Sequence, residues 1–152
     1  SGALETWEIV NHSRSGMLGM CRRPDAATRI SHNQLLGLRT AAGKTFYLGV
    51  VQRMQTDDSG ALSIGLRVIP GAPQPIAARI LGVVAPDGKA YDRALLMPAD
   101  EVRKVPASLI MAPTVYQAQR AIELHAGEPR TVKLTGVLDR GVNFERMTFV
   151  DG

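Results

Sequence analysis

The sequence predicts an all-β chain folded as two β units, and three observations carry that prediction. Fifteen Gly and nine Pro punctuate 152 residues, the stretches between them are short and rich in Val, Ile, Leu and Thr, and several alternate apolar with polar side chains. About eleven such stretches at this spacing mean barrels or a sandwich rather than alternating βα units.

The clearest strand is Leu62 to Ile69, where Leu62, Ile64, Leu66 and Val68 alternate with Ser63, Gly65, Arg67 and Ile69, the period of a half-buried strand. Asp57-Asp58-Ser59-Gly60 before it is turn chemistry, and Thr45 to Gln55, with Phe46, Leu48 and Val50 on one face, reads as its antiparallel partner. Upstream, Thr6 to Val10 and Met17 to Met20 flank a polar loop, Asn11 to Gly16, and Gln34 to Thr40 closes through Ala41-Ala42-Gly43-Lys44 into Thr45. Ile76 to Val84 follows the break Pro70-Gly71-Ala72-Pro73 and reads as a strand, since helix caps are missing. Beyond the turn Pro86-Asp87-Gly88-Lys89, strands are expected at Tyr91 to Met97, Ser108 to Met111, Ala121 to His125, Thr131 to Leu138 and Asn143 to Val150. Asp100 to Lys104 reads as one helical turn. The predicted division is residues 1–86 for the first unit and 87–152 for a smaller second unit packed on it.

Composition bounds the function. Hydrophobic residues at 45% against 21% charged supply a core and exclude a disordered chain. Eighteen Lys and Arg against fourteen Asp and Glu give +4, which suits an anionic ligand but is too weak to argue for a nucleic-acid partner. A single cysteine, Cys21, removes internal disulfides and multi-cysteine metal sites, so a reducing cytoplasm is the expected location. No apolar run reaches the roughly 18 residues that span a bilayer, and no signal-peptide layout opens the chain, so membrane insertion is not expected. The start at Ser1-Gly2, without Met, reads as a piece of a longer polypeptide.

Catalysis finds no constellation. His12, His32 and His125 are far apart and lack zinc spacing. Cys21 has Arg22 and Arg23 beside it but no nearby His to make it a nucleophile. There is no G-x-S-x-G elbow, no phosphate-cradling glycine loop, and no evident carboxylate pair. A non-enzymatic protein without a cofactor is expected.

Basic residues are more informative. Arg14, Arg22, Arg23 and Arg29 lie within Asn11 to Ile30 against Asp25 alone, a local +3. Guanidinium forks match phosphate oxygens and stack on nucleobases. Asn11-x-Ser13-x-x-Gly16 supplies an amide, a hydroxyl and a permissive backbone in six residues, fit either to hold a polar ligand or to cap its own loop.

In its context this pattern resembles the PilZ domain family, bacterial receptor modules for cyclic di-GMP, whose (D/N)-x-S-x-x-G motif follows the first barrel strand. Gly37-Leu38-Arg39, Tyr47 to Arg53 and Leu62 to Val68 look like later strands of that barrel, so the likeness covers roughly residues 6 to 70. Residues 90 to 152 look like an extra β region of larger PilZ proteins. The resemblance implies a six-stranded antiparallel barrel binding cyclic di-GMP on its outer surface, with Asn11 on guanine, Ser13 on phosphate and Gly16 shaping the loop. The family's second motif, R-x-x-x-R, has no counterpart in the ten residues before Asn11; Arg14, Arg22 and Arg23 are candidate substitutes on charge alone. The expectation is a cytoplasmic signalling module that relays the nucleotide to a partner domain or effector protein; the alternative is a degenerate PilZ-fold interaction adapter that binds no nucleotide.

Overall fold

In the computed structural model the structure describes residues 5–13, 16–22, 29–39, 43, 45–82 and 91–152, and these contain strands and turns with no helix. Eleven strands follow one another: β1 Glu8–His12, β2 Met17–Arg22, β3 Leu35–Arg39, β4 Phe46–Thr56, β5 Leu62–Ile69, β6 Gln74–Ile80, β7 Asp92–Met97, β8 Ser108–Met111, β9 Ala121–Ala126, β10 Glu128–Arg140 and β11 Glu145–Asp151. They form a five-stranded sheet, β1-β2-β5-β4-β3, and a closed six-stranded barrel, β10-β11-β8-β7-β6-β9, with every strand pair antiparallel.

The fold class is therefore as predicted, but the closed barrel lies in the other half of the chain. The compact units are Ser1–Pro70 and Gly71–Gly152, so the division falls at the Pro70-Gly71 break and not at residue 86, whose turn is outside the described residues. The physical reason is β6. It hydrogen-bonds β7 through Ile76↔Ala94 and β9 through Ala78↔Leu124, which makes it a barrel stave. Among the described residues no further strand is left to close this unit, whose strands form the five-stranded sheet.

In the sheet unit, the alternation of β5 buries Leu62, Ile64 and Leu66 with Val51, and Trp7, Leu18, Met20, Ile30, Leu36 and Leu38 pack against them. The β4–β5 turn is held by the Asp57 carboxylate, which accepts from the Ser59 hydroxyl at 2.6 Å and from the amides of Ser59 and Ala61 at 2.9 and 3.0 Å. The Ser59 hydroxyl and these amides hold that carboxyl below its ordinary value.

In the barrel unit, Ile76, Ala78, Ala94, Leu109, Met111, Ile122, Leu124, Val132, Leu134 and Met147 form one buried cluster. Six staves enclose an interior narrow enough for side chains to fill, and Ala78 and Ala94 are the small residues of its buried cluster. Asp100 to Lys104 is not a helical turn: Asp100 and Val105 exchange both backbone hydrogen bonds at 2.9 Å, and Lys104 takes φ 55°. The Asp100 carboxylate draws the Arg103 amide and guanidinium (3.1 and 2.8 Å) into the same tight loop.

Glu145 opens β11 at 4% exposure. Its carboxylate accepts from the Tyr116 amide at 3.0 Å and from Arg140 Nε at 2.8 Å, pinning the segment in which Thr114 holds φ 73°, a costly conformation for a β-branched residue. Burial pushes this carboxyl up, but the Tyr116 amide and the Arg140 guanidinium outweigh it and hold the group below its ordinary range. A depressed folded pKa adds stability that is present above the unfolded value and lost as pH falls through the folded one. Glu145→Gln is thus expected to lower urea stability at pH 7 by about 1–3 kcal/mol, the cost of an impaired buried hydrogen-bond acceptor. The difference should shrink toward zero in strong acid, where both side chains are neutral; a gap that persists there sets this account aside.

Candidate functional site

The site is built by the four strands β1, β2, β5 and β4. Asn11 pairs with Gly19, Gly19 with Gly65, and Gly65 with Arg53. Directly paired residues share a face of the sheet, so the amide of Asn11 and the guanidinium of Arg53 stand on one face with two glycines between them. The adjacent row on that face is Cys21, Ser63 and Gln55. Asn11, Gly19, Gly65, Arg53, Ser63 and Gln55 line a concavity of about 530 Å³ whose wall also includes Met17, His32 and Gln52. Among the described residues that line it none is Asp or Glu, and Arg53 is the one permanent charge.

Two irregularities create this row. The β1 register shifts between Ile9 and Asn11, and the β4 register between Val51 and Arg53, so Val10 and Gln52 are the extra residues of two bulges, a device that re-aims the side chains that follow. Strand β1 runs on through His12, so Asn11 is a strand residue and not a loop residue as the sequence suggested. The carbonyl of Gln52 lies 2.8 Å from His32 Nε2; a carbonyl only accepts, so Nε2 carries the proton.

The predicted site residues separate. Asn11 lines the concavity. Ser13 and Gly16 shape the β1–β2 hairpin: the Ser13 amide donates to the Met17 carbonyl at 2.9 Å, the Ser13 hydroxyl accepts from the Met17 amide at 3.2 Å, and Gly16 takes φ 87°. Gly16 also offers its carbonyl to the Val68 amide at 3.0 Å. Arg22, with a side chain 12% exposed, contacts Glu5 at 3.3 Å and stacks over Trp7 at 5.3 Å, while Trp7 Nε1 donates to the same carboxylate at 3.1 Å. Arg14 and Arg23 lie outside the described residues. Arg53, Gln55 and Ser63 were missed because their partners in the row are distant in sequence. Two signals for them were available: Val50-Val51 breaks the alternation of β4, and Gly19 and Gly65 sit inside strands, where glycine marks a bulge or a close approach.

A second polar cluster sits on the barrel. The Glu123 carboxylate contacts His125 Nε2 at 2.6 Å and Arg79 at 3.1 Å, and the His125 hydrogen bond leads the effects holding its carboxyl below the ordinary value. Arg79 lies over Tyr91 at 5.4 Å, and Tyr91 meets His125 edge-on at 4.6 Å. Arg79 on β6 thus meets Glu123 on β9, while Arg79 Nε is buried without a hydrogen-bond partner among the described residues. Among the described residues no three His, Cys, Asp or Glu side chains are grouped to hold a metal ion, and no helix is long and apolar enough to cross a membrane.

A family model, the FimW C-terminal beta-barrel domain, matches residues 76–151, which is the barrel from β6 to the last residue of β11. No curated protein and no solved structure matches the chain.

Proposed function

The chain belongs to the family of FimW C-terminal beta-barrel domains, and from that premise we propose that it is a non-catalytic signalling module. In this reading the open sheet takes up a small anionic ligand of the nucleotide class, with cyclic di-GMP the first candidate, and the barrel relays the bound state to a partner domain or protein. The observation that carries the reading is the concavity on the sheet, lined by Asn11 and Arg53 and, among the described residues, by no carboxylate. Its size, about 530 Å³, lies within the roughly 300–1,000 Å³ of small-ligand pockets. An arginine without acidic neighbours favours phosphate oxygens. The resemblance of residues 6–70 to the PilZ family supports cyclic di-GMP as the candidate, and the chemistry of Asn11 agrees with a guanine edge.

A second reading, an interaction adapter without ligand, draws on Ser13 and Arg22, whose polar groups already serve internal contacts. Calorimetric titration of cyclic di-GMP into the chain separates the two. The signalling reading expects saturable heat that Asn11→Ala weakens by at least about tenfold, the size of one lost ligand hydrogen bond, with little change in melting temperature, since Asn11 is exposed. Absence of heat from the wild type leaves the adapter.

A further inference from the structure

The sheet concavity has an internal design that the motif does not contain. A Cβ placed on Gly19 would stand 2.8 Å from Asn11 Oδ1, and one placed on Gly65 would stand 3.4 Å from Arg53 Nε. Each polar side chain therefore lies over the bare backbone of the strand next to it. Gly19 and Gly65 are themselves paired, at the roughly 5 Å spacing of neighbouring strands. Carboxamide and guanidinium thus approach each other from opposite sides over a floor without side chains. The bulges at Val10 and Gln52 set both in the same row. Arg53 makes no ion pair among the described residues, whereas Arg22, Arg79, Arg103, Arg130 and Arg140 all do.

We infer that Arg53 is the anion anchor of this site and Asn11 its orienting group, together taking a phosphate-bearing ligand with a flat polar ring. The guanidinium forks onto the phosphate. The carboxamide, with a donor and an acceptor on one small plane, pairs with a ring edge that offers the complement. The ring lies along the sheet, where glycine lets it approach the backbone, and the Ser63 hydroxyl and Gln55 amide of the next row flank it. This rests on the anionic-ligand reading above and adds the residue that holds the charge, supplied by β4.

Guanosine monophosphate, cyclic di-GMP, inorganic phosphate and guanosine are titrated into the chain and into four variants, with melting temperature as the folding check. The two nucleotides are expected to bind more tightly than either phosphate or guanosine alone. Arg53→Gln should weaken nucleotide binding at least tenfold, whereas Arg39→Gln, on β3 and outside the concavity, should leave it unchanged. Gly19→Ala pushes the Asn11 carboxamide aside, and Gly65→Ala raises a methyl from the floor over which the ring lies, so each should cost severalfold in affinity. Nucleotide binding that survives Arg53→Gln in a folded protein overturns the anchor while leaving the proposed function standing. Equal loss in Arg39→Gln reduces the effect to overall charge and also overturns it. No binding of any phosphate-bearing probe to the wild type removes the proposed function itself.

Discussion

Replacing Leu134 by Ala is expected to destabilise the barrel unit by about 2–5 kcal/mol, the range for truncating a fully buried leucine. Leu134 has no exposed surface and sits in the middle of β10 within the barrel cluster. Its strand is the longest, thirteen residues, and it pairs on one side with β9 and on the other with β11. The backbone at Leu134 donates to the Arg120 carbonyl and accepts from the Gln119 amide, both at 2.9 Å, so it cannot shift to fill the space. A closed barrel relaxes poorly, because moving one stave strains the ladders on both sides. The upper half of the range is therefore expected. Val102→Ala is the matched control: Val102 is 94% exposed, and surface truncations usually stay within about 0.5 kcal/mol. Chemical denaturation followed by far-UV circular dichroism reads both. A loss below about 1 kcal/mol for Leu134→Ala would mean that the interior collapses around the missing atoms.

Much of this fold is legible in the sequence because each strand carries its own evidence. Leu62, Ile64 and Leu66 announce β5 by alternation alone, and Ile122 and Leu124 announce β9 in the same way, because burial on one face imposes period two wherever a strand covers a core. Pairing is a different matter. Turn-forming residues at Pro86 to Lys89 predict a reversal; they do not say which sheet Ile76 to Ile80 joins. The partners of β6 are β7 and β9, the latter more than forty residues away, and only the three-dimensional closure of the barrel reveals them. Fold class survives such an error because it depends on local periods, whereas a domain boundary depends on non-local hydrogen bonds.

The candidate site was half legible for the same reason. Asn11, Ser13 and Gly16 form a short motif, and motifs are local. Hairpin geometry then divides their labour: Ser13 and Gly16 make the turn, and Asn11, moved into phase by a bulge, is left facing the concavity. Counting arginines along the chain pointed to residues 14 to 29, yet local charge density does not reveal what each guanidinium touches. Arg22 spends its charge on Glu5. Arg53 stood outside the basic stretch and became notable only when the register set it beside Gly65.

The link between the units carries the other large expected effect. Gly71, in Pro70-Gly71-Ala72-Pro73, takes φ 98°, and a Cβ there would stand 2.8 Å from Pro98 Cγ and 3.2 Å from its Cδ. Two costs add for Gly71→Ala: a side chain in a left-handed conformation, about 1–2 kcal/mol, and an overlap with neighbouring atoms, about 1–3 kcal/mol. The proline ring has no rotamer by which to withdraw, so the overlap is relieved only by moving backbone, and a total of about 2–5 kcal/mol follows. Gly16 separates the two terms. It has a similar φ, 87°, with nothing among the described residues within 4 Å of the added atom, so Gly16→Ala should show the conformational cost alone, about 1–2 kcal/mol. In a double-mutant cycle, Pro98→Ala should recover the overlap part in the Gly71→Ala background. Equal losses at Gly16 and Gly71, with no rescue by Pro98→Ala, would show that Pro98 plays no part and that glycine is required at residue 71 by backbone geometry alone.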